Sequence, residues 1–287
     1  MSRVAIITVS YDSHAVLAPF LDSARAASTD ARTAVYVADN HPTASSRSEV
    51  ESMVVRAGAV YVPMADNVGY GSAVNAVART LPMDVDAILI SNPDVLLGPG
   101  SVDVLAAALG SDPDVGAVGP RILEPDGSTY PSARAVPSVV SGVGHALFAR
   151  VWPENPWSRS YRNADSYGDE PRDSGWLSGA CLLVRRQAFD DIGGFDERYF
   201  MYFEDVDLGY RLGQAGWRNV YDPRAAVTHS GAHSTTGESA RMLAEHHRSA
   251  RRFLGSRYPG VLRWPLRAVL SLGLIVRSAL ERRRADR

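Results

Sequence analysis

The sequence lacks lysine altogether, so all 30 of its lysine-or-arginine positions are arginines. Without lysine the chain cannot contain a Walker-type phosphate loop, which requires a Gly-Lys-Ser/Thr sequence. Cysteine is almost absent too: Cys181 is the only one, so an internal disulfide is excluded. This composition is typical of reducing compartments, and the apolar surroundings of Cys181 predict a small buried residue in a strand.

Long apolar runs are missing as well. No stretch reaches the roughly 18 uncharged apolar residues that are needed to span a bilayer. The apolar run Val4–Val9 is short, and Tyr11 and Asp12 follow it without a small-residue cleavage site. We therefore expect a cytoplasmic protein without a secretory signal.

The charges that are present are distributed unevenly. The segment 241–287 carries 12 arginines against three acids, whereas the rest of the chain carries 18 arginines against 29 acids. An acidic body would repel a phosphate backbone, which argues against a nucleic-acid partner. A basic tail on an acidic body favours an anionic surface, such as a membrane, as the partner of the tail.

Apolar segments alternate with helix-like segments over the first part of the chain. This alternation predicts an α/β fold with a mostly parallel, twisted sheet and helices on its faces. Ligands of such sheets bind beyond the carboxyl ends of the strands, where this sequence places its polar clusters. The predicted strands are Arg3–Ser10, Thr33–Asn40, Ala59–Pro63 and Ala87–Ser91, and the predicted helices are His14–Ser28, Ser45–Ala57 and Gly71–Leu81.

The pattern changes after Pro120. A turn at Pro125–Gly127 separates short strand-like pieces, and the polar, tryptophan-containing segment 151–175 predicts a long loop over the site. We expect a nucleotide-binding half over residues 1–120, an acceptor and catalytic half over residues 121–240, and a basic amphipathic helical tail over residues 241–287. The later predicted elements are the strands Trp176–Val184 and Arg218–Thr228 and the helices Glu204–Gly216 and Glu238–Leu254.

The triplet Asn92-Pro93-Asp94 directly follows the strand Ala87–Ser91. A carboxylate at a strand end can reach a divalent cation that is shared with a diphosphate, and Mg²⁺ usually takes only one or two ligands from protein. The same triplet is also good turn chemistry. A metal site and a simple turn both remain open on these residues alone.

Glycines open the predicted helix in the segment Asn67–Asn75. Gly69 and Gly71 would let backbone N–H groups at the helix start approach a phosphate or ribose closely. The spacing is neither a Walker loop nor a dinucleotide fingerprint. An ordinary junction between a loop and a helix is the alternative.

Three carboxylates lie within four residues at the start of the predicted helix Glu204–Gly216, directly after an aromatic run. The helix dipole alone would stabilise such anions. The aromatic run, however, predicts a partly dry environment in which a carboxylate can be tuned as a general base. Because Arg211 is four residues beyond Asp207, these two can pair, and we assign the chemistry to Asp205.

His229 follows the last predicted strand and could complete a metal site with Asp94. A lone histidine is commonly structural, and that alternative stays open. The metal interpretation requires Asp94, His229 and Asp205, which are far apart along the chain, to converge in a single cleft.

In this order, these motifs resemble family 2 glycosyltransferases with the GT-A fold, and among them the bacterial rhamnosyltransferases. The resemblance runs from about Val4 to Ser234, and its most specific parts are Asn67–Asn75 and Phe200–Arg211. It implies one GT-A domain over residues 1–240. Further motifs that carry it are Trp176-x-x-Gly179, Gly193-Gly-Phe-Asp-Glu197, Glu204-Asp-x-Asp-Leu-x-x-Arg211 and Thr228-His229.

The resemblance implies a role for each candidate residue. Asp205 would be the general base, Asp94 and His229 would bind a divalent metal (Mg²⁺ or Mn²⁺), and Asp39 would hydrogen-bond the pyrimidine base. Asn92 stands where the family often has the first Asp of Asp-x-Asp, which leaves the metal with less protein charge. The other nucleotide-sugar residues would be Ser10, Tyr11, Asn67, Gly69, Tyr70, Asn75 and Asn92, and those of the acceptor and sugar pocket Trp176, Gly179, Glu204 and Arg211.

The resemblance also implies the reaction. The metal would neutralise the nucleoside diphosphate leaving group while one base activates the acceptor hydroxyl, so a single displacement inverts the anomeric centre. The implied donor is dTDP-rhamnose, and the implied acceptor is a polyprenyl-diphosphate-linked N-acetylglucosamine in cell-wall linker synthesis. Another donor, such as a UDP- or GDP-sugar, or another acceptor is the alternative.

The tail bears on the acceptor and on location. Over Val261–Leu280 two interior charges argue against spanning, and an Arg263, Arg267 and Ser271 stripe favours a helix lying in a membrane interface. Arg282–Arg284 would bind anionic headgroups, which predicts peripheral attachment to the inner face of the plasma membrane. Alternatively, this helix packs on the body or on a second copy of the chain as a homodimer.

Two other classes of protein compete with this interpretation. A sugar-1-phosphate nucleotidyltransferase would need a glycine-rich loop with arginine and lysine after the first strand, which Ser10–His14 does not provide. A non-catalytic, membrane-associated adaptor that binds nucleotide sugars would explain the basic tail. It would leave the acids Glu204–Asp207 without a function.

Overall fold

The computed structural model describes residues 2–40, 44–137, 167–229 and 239–260, together with Pro265 and Ala268. In the first part of the chain, strands and helices alternate as predicted. All of the neighbouring strands here pair in parallel, in the order β3-β2-β1-β4. The strands are β1 (Arg3–Ser10), β2 (Arg32–Asp39), β3 (Val60–Pro63) and β4 (Ala87–Ser91), and the helices are α1 (His14–Ala26), α2 (Ala44–Arg56) and α3 (Tyr70–Ala78).

The sheet continues into the second part of the chain and becomes mixed there. β11 (Cys181–Arg185) lies antiparallel between β4 and β6 (Val115–Leu123), and β12 (Arg218–His229) is parallel to β6. One sheet thus runs in the order β3-β2-β1-β4-β11-β6-β12-β5. The expected α/β class with flanking helices is confirmed, while the parallel pairing is limited to the first four strands and the β6–β12 pair.

The remaining elements surround this path. β6 runs through position 120, where we expected the two halves to meet, so one continuous strand joins them. The other elements are β5 (Val95–Leu97), α4 (Ser101–Ser111), β7 (Thr129–Tyr130), β8 (Ala133–Arg134), β9 (Arg172–Ser174), β10 (Trp176–Leu177), α5 (Arg186–Asp191), α6 (Glu204–Gln214) and α7 (Ser239–Arg257).

The expected single strand Trp176–Val184 was wrong. Residues 176–177 form β10 and pair with β8 in a separate two-stranded sheet, whereas β11 joins the central sheet. The three residues Ser178–Ala180 between β10 and β11 lie outside both strands. This break places Gly179 at a bend next to α6.

The core lies on both faces of the central sheet because its middle strands carry buried apolar side chains on both faces. In β4, Leu89 faces one buried cluster with α1 and α4, whereas Ile88 and Ile90 face the other with α3 and α5. Cys181 is buried in β11 as expected, and burial raises the pKa of its thiol to about 12. The thiol is therefore inert at neutral pH.

A third, smaller cluster joins α7 to the segment before α6. Phe253 of α7 is buried against Tyr199 and Val206. Most of the expected amphipathic helix Val261–Leu280 and the part 151–166 of the expected long loop lie outside the described residues. None of the helices in the described ranges is both long and apolar enough to cross a membrane.

Candidate active site

The carboxyl ends of the parallel strands form one edge of the sheet. In register, Ser10 of β1 lies beside Asp39 of β2, and Thr8 lies beside Ser91 of β4. Asn92–Asp94 follow directly, so the polar clusters expected at strand ends do share one edge.

At this edge Ser10 and Asp39 are fully buried, whereas Tyr11 is 44% exposed. The Tyr61 hydroxyl donates a 2.7 Å hydrogen bond to Asp39 Oδ2. Burial and this bond raise the pKa of Tyr61, so Tyr61 stays neutral. The Ser10 Oγ has no hydrogen-bond partner within the described part of the chain. An unpartnered buried hydroxyl beside an aspartate suits a ligand with polar edges.

The loop before α3 is held by Asn40, which the sequence-based site did not include. Its Nδ2 donates to Asn67 Oδ1 at 2.8 Å, and its Oδ1 accepts from Val68 N at 3.1 Å. Gly69 has φ +88°, and a Cβ there would come 2.4 Å from the carbonyl oxygen of Phe200. Gly69 is therefore required for a close backbone approach between the expected nucleotide loop and the segment that leads to α6.

A chain of two hydrogen bonds links that loop to the expected base. The Tyr70 hydroxyl donates to the Gly179 carbonyl oxygen at 2.9 Å, and the Gly179 N–H donates to Asp205 Oδ2 at 2.9 Å. The other carboxylate oxygen, Oδ1, accepts from Val206 N at 2.8 Å. The Asp205 carboxylate is thus fixed by two backbone donors.

Glu204 and Asp205 have different environments although they are adjacent. Burial is the main cause that raises the pKa of both side chains. At Asp205 the two N–H donors and the nearby charge of Arg134 counteract that effect, whereas at Glu204 only a backbone hydrogen bond does so and the pKa rises to about 8. Hydrogen bonds to both of its oxygens favour the charged form of Asp205, which suits this side chain to accept a proton.

Asp94 and His229 meet because of strand pairing. Val95 of β5 lies opposite His229, the last residue of β12, so the preceding Asp94 reaches the imidazole. His229 Nε2 lies 3.2 Å from Asp94 Oδ1, and this contact raises the pKa of the histidine. Two ligands at right angles around a cation, each at about 2.1 Å, lie about 3 Å apart, so this pair fits one divalent ion.

Within the described ranges, no group of three or more His, Cys, Asp or Glu side chains is arranged for a metal. The Asp94–His229 pair thus offers two protein ligands, a number that a divalent cation shared with substrate oxygens can use.

Two tyrosines show that these groups surround one cleft. The charges of Glu204, Asp205 and Asp94 all raise the pKa of Tyr70, in addition to the larger effect of its burial. The Tyr130 ring lies 6.1 Å from the His229 ring, and the charge of Asp205 raises the pKa of Tyr130. The structure therefore brings Asp94, His229 and Asp205 together as the sequence analysis required.

The positions of Asn75 and Arg211 require revised roles. The Asn75 amide donates to the carbonyl oxygen of Phe195 at 2.9 Å and accepts from its N–H at 2.9 Å. Arg211 pairs with the buried Asp207 and donates to the carbonyl oxygen of Ile192 at 2.9 Å. Because both side chains are engaged in internal bonds, we reassign them from substrate contact to holding the loops around α5.

Trp176 is half-buried on the acceptor side. Its Nε1 donates to the Ala135 carbonyl oxygen at 3.2 Å, and a Cβ at Gly209 would come 2.6 Å from the Trp176 Cβ. Tyr130 and Arg134 border the same region but were missed by sequence reasoning, because single residues in two-residue strands carry no periodic signal.

Comparison with known proteins agrees with this geometry. Two solved structures share the fold: mannosyltransferase PcManGT from Pyrobaculum calidifontis in complex with GDP-Man and Mn²⁺, and GalNAc-T7 with UDP, GalNAc and Mn²⁺. The first has a TM-score of 0.60 at 17% identity and covers 94% of this chain and 69% of its own. The second has a TM-score of 0.60 at 14% identity and covers 87% of this chain and 48% of its own.

Sequence comparison defines the family. The family described as "Glycosyltransferase like family 2" matches residues 2–251. The N-acetylglucosaminyl-diphospho-decaprenol L-rhamnosyltransferase of Mycobacterium tuberculosis is 46% identical over 295 residues, which cover 97% of this chain and 94% of the relative. Rhamnosyltransferase WbbL of Escherichia coli K12 is 38% identical over 79 residues, 28% of this chain and 30% of the relative. The chain belongs to glycosyltransferase family 2 and is a GT-A enzyme.

Proposed function

We propose that this enzyme transfers L-rhamnose from dTDP-L-rhamnose to an N-acetylglucosamine linked to a polyprenyl diphosphate. The 46% identity to a rhamnosyltransferase of that acceptor, over 97% of the chain, supports the choice of substrates. The chemistry is supported by one observation above all. Asp205 is buried and held by two backbone N–H groups at the same cleft as the Asp94–His229 pair.

Asp94 and His229 would hold a divalent cation, Mg²⁺ or Mn²⁺, against the donor diphosphate. That cation supplies charge neutralisation for the leaving group. The nucleotide would lie along the strand ends of residues 1–120. Its pocket would be formed by Ser10, Tyr11, Asp39, Asn67, Gly69 and Asn92.

Asp205 would accept the proton of the attacking acceptor hydroxyl. Its two N–H bonds fix both carboxylate oxygens, so the base is oriented before the acceptor arrives. The acceptor would lie in the half formed by residues 121–240, near Trp176, Gly179 and the protonated Glu204. A single displacement of this kind inverts the anomeric configuration.

The acceptor lipid implies a location. We propose that the enzyme works at the cytoplasmic face of the plasma membrane, held there by the basic tail 241–287. The tail carries 12 arginines against three acids, which suits anionic headgroups. A tail that instead joins two copies of the chain would leave the enzyme unable to sediment with anionic vesicles.

The proposal is tested by a donor and acceptor screen with the purified full chain, MgCl₂ or MnCl₂, and a synthetic N-acetylglucosaminyl diphospho-lipid. We expect dTDP-rhamnose to be the donor that gives product, with inverted anomeric configuration by NMR. Efficient transfer from a UDP- or GDP-sugar would overturn the donor assignment. Nucleotide binding without transfer to any acceptor would favour the adaptor class.

The variant Asp205→Asn distinguishes a role of Asp205 as the general base from a role in nucleotide binding. The amide keeps the size of the side chain and can accept one of the two N–H bonds at its single oxygen, but it cannot take a proton. We expect kcat to fall by about 10²- to 10⁴-fold, while the Kd of dTDP stays within about twofold of wild type. Asp190→Asn, on the exposed end of α5, is the matched control. Transfer near the wild-type rate in Asp205→Asn would show that Asp205 is not the base.

A further inference from the structure

Arg134 is a cation on the proposed acceptor side of the cleft, and among the described residues it has no acidic partner. Elsewhere in the described part of the chain many arginines form ion pairs, for example Arg79 with Glu197 and Arg224 with Asp222. Arg134 instead donates from Nε to the Pro131 carbonyl oxygen at 2.9 Å. Neither of its terminal nitrogens forms a hydrogen bond or ion pair to any described residue.

Strand pairing fixes the direction of the Arg134 side chain. Arg134 of β8 lies directly opposite Trp176 of β10, and opposite residues of an antiparallel pair project to the same face. Trp176 packs on Gly209 of α6, so Arg134 projects toward the face that α6 covers. α6 begins with Glu204 and Asp205.

The β8–β10 pair is also connected to Asp205, the proposed base. Ser178 N donates to the Ser132 carbonyl oxygen at 2.7 Å, and the next peptide N–H, that of Gly179, donates to Asp205. The position of Arg134 is therefore set by the backbone that sets the base. Its charge stabilises the ionised forms of both Asp205 and Tyr130, which agrees with a guanidinium near these two groups.

The reaction proposed above contains two diphosphates, and geometry separates them. The donor diphosphate leaves toward the Asp94–His229 pair. In an inverting displacement the attacking hydroxyl and its base lie on the opposite face of the sugar. The acceptor carries its own diphosphate on the sugar that Asp205 activates, and that group requires a cation on the base side of the cleft.

We propose that Arg134 binds the diphosphate of the acceptor lipid. The proposal rests on the proposed function, because it assigns a subsite for that acceptor. Both terminal nitrogens of the planar guanidinium lack a hydrogen bond within the described ranges, and together they match two phosphate oxygens in a bidentate contact. Arg134 would thus select lipid-diphosphate sugars over neutral glycosides and would place the sugar hydroxyl at Asp205.

The test compares Arg134→Ala, Arg134→Lys and the control Arg3→Ala. Arg3 lies at the opposite end of β1 from the site and pairs with Asp84 on the surface. For each variant, KM is measured for the synthetic N-acetylglucosaminyl diphospho-lipid and for dTDP-rhamnose. The inhibition constant of octyl N-acetylglucosaminide, which lacks phosphate, is measured against the same acceptor. Circular dichroism and dTDP binding report on folding.

We expect Arg134→Ala to raise the acceptor KM by about 10- to 100-fold, the effect of losing charged hydrogen bonds. The donor KM and the inhibition constant of the octyl glycoside should stay within about twofold of wild type. The acceptor KM of Arg134→Lys should lie between those of wild type and Arg134→Ala, because lysine keeps the charge but loses the planar guanidinium. Arg3→Ala should match wild type.

Three results would overturn the proposal. An unchanged acceptor KM in both Arg134 variants would exclude the contact. A rise in the donor KM instead would place Arg134 on the nucleotide diphosphate. An equal rise in the inhibition constant of the octyl glycoside would mean that Arg134 shapes the sugar pocket and does not contact the diphosphate. Failure of the proposed function would look different, since wild type itself would then transfer no rhamnose.

Discussion

At the scale of single residues, the adjacent acids Glu204 and Asp205 differ because of their hydrogen bonds. Asp205 accepts from two backbone N–H groups, whereas Glu204 Oε2 is buried without a partner among the described residues. Hydrogen bonds to a carboxylate favour its charged form, and burial without them favours the acid. Two side chains of the same chemical type can therefore serve as base and as neutral hydrogen-bond donor.

Glu204 should make stability fall as the pH rises. Its pKa in the folded protein is about 8, against an ordinary value of 4.5, so the folded state binds the extra proton between these limits. Stability that is present below about pH 4.5 is lost progressively as the pH rises toward 8. Glu204→Gln cannot ionise, so its unfolding free energy should lose this part of the pH dependence.

The measurement is urea unfolding of wild type and Glu204→Gln at pH 5.5, 7 and 8. The gap between the two proteins should widen in favour of the variant as the pH rises. Glu49→Gln, on the exposed side of α2, should follow wild type throughout. Parallel curves for Glu204→Gln and wild type would mean that Glu204 is ionised in the folded protein at neutral pH.

At the scale of elements, α7 holds the start of α6 in a strained backbone conformation. Tyr202 and Phe203 both have φ +66°, a conformation that costs non-glycine residues roughly 1 kcal/mol or more each. His246 of α7 packs its ring against both aromatic rings, at 5.5 and 5.3 Å, and Ser249 donates to the Met201 carbonyl oxygen. α7 therefore stabilises the backbone that aims Glu204 and Asp205 into the cleft.

The hydrogen bonds that connect Tyr70 of α3 through Gly179 to Asp205 can be interrupted while the aromatic ring of Tyr70 is kept. Tyr70→Phe deletes the donor to the Gly179 carbonyl oxygen and loosens the peptide that holds the base. We expect kcat to fall about fivefold to tenfold, the effect of one hydrogen bond, with the Kd of dTDP unchanged. The control is Tyr36→Phe in the middle of β2.

Steady-state kinetics and calorimetry distinguish this positioning role from the nucleotide contact that the sequence analysis assigned to Tyr70. A weaker dTDP complex with unchanged kcat would return Tyr70 to the nucleotide pocket. A shift of the acidic limb of the kcat profile to higher pH is the further sign of a loosened Asp205, because a lost N–H bond raises the pKa of a carboxylate.

At the scale of the whole molecule, the mixed sheet brings Asp94 and His229 together from distant parts of the chain. Asp94 follows β4, His229 ends β12, and the short antiparallel pairing of β5 with β12 brings them to 3.2 Å. The same sheet carries β11 between β4 and β6, which sets the Gly179 bend opposite α3. Strands from residues 1–120 and from residues 121–240 thus belong to one sheet.

Metal and nucleotide should stabilise the fold together. A ligand that binds the folded state raises stability by about 2.7 kcal/mol at 100 times its Kd. We expect dTDP with MgCl₂ or MnCl₂ to raise the Tm, and EDTA to remove the metal-dependent part. Asp94→Ala should lose that part, whereas Asp84→Ala, an exposed residue, should keep it. An equal dTDP shift with and without EDTA, in wild type, would exclude a metal-bridged diphosphate.

The local sequence determined most of the first half of the fold. Continuous apolar runs such as Val4–Val9 and Ala87–Ile90 can only be buried strands, and their alternation with helical segments implies parallel pairing. Motif order singled out Asp94, Asp205 and His229; the structure pairs Asp94 with His229 at 3.2 Å, while the role of each of the three stays a prediction. The elements from β5 to β6 escaped prediction, because short strands and a glycine-flanked helix leave weak periodic signals.

Tertiary structure alone decided which polar side chains face the cleft. Asn75 and Asn67 belong to the same motif, yet Asn75 bonds internally to Phe195, because its side chain lies on the buried side of α3. Arg134 carries no motif and still lies opposite Trp176, because β8 pairs with β10. Sequence pattern reports local periodicity and chemistry, whereas the direction of a side chain depends on strand register and helix packing between residues far apart in the chain.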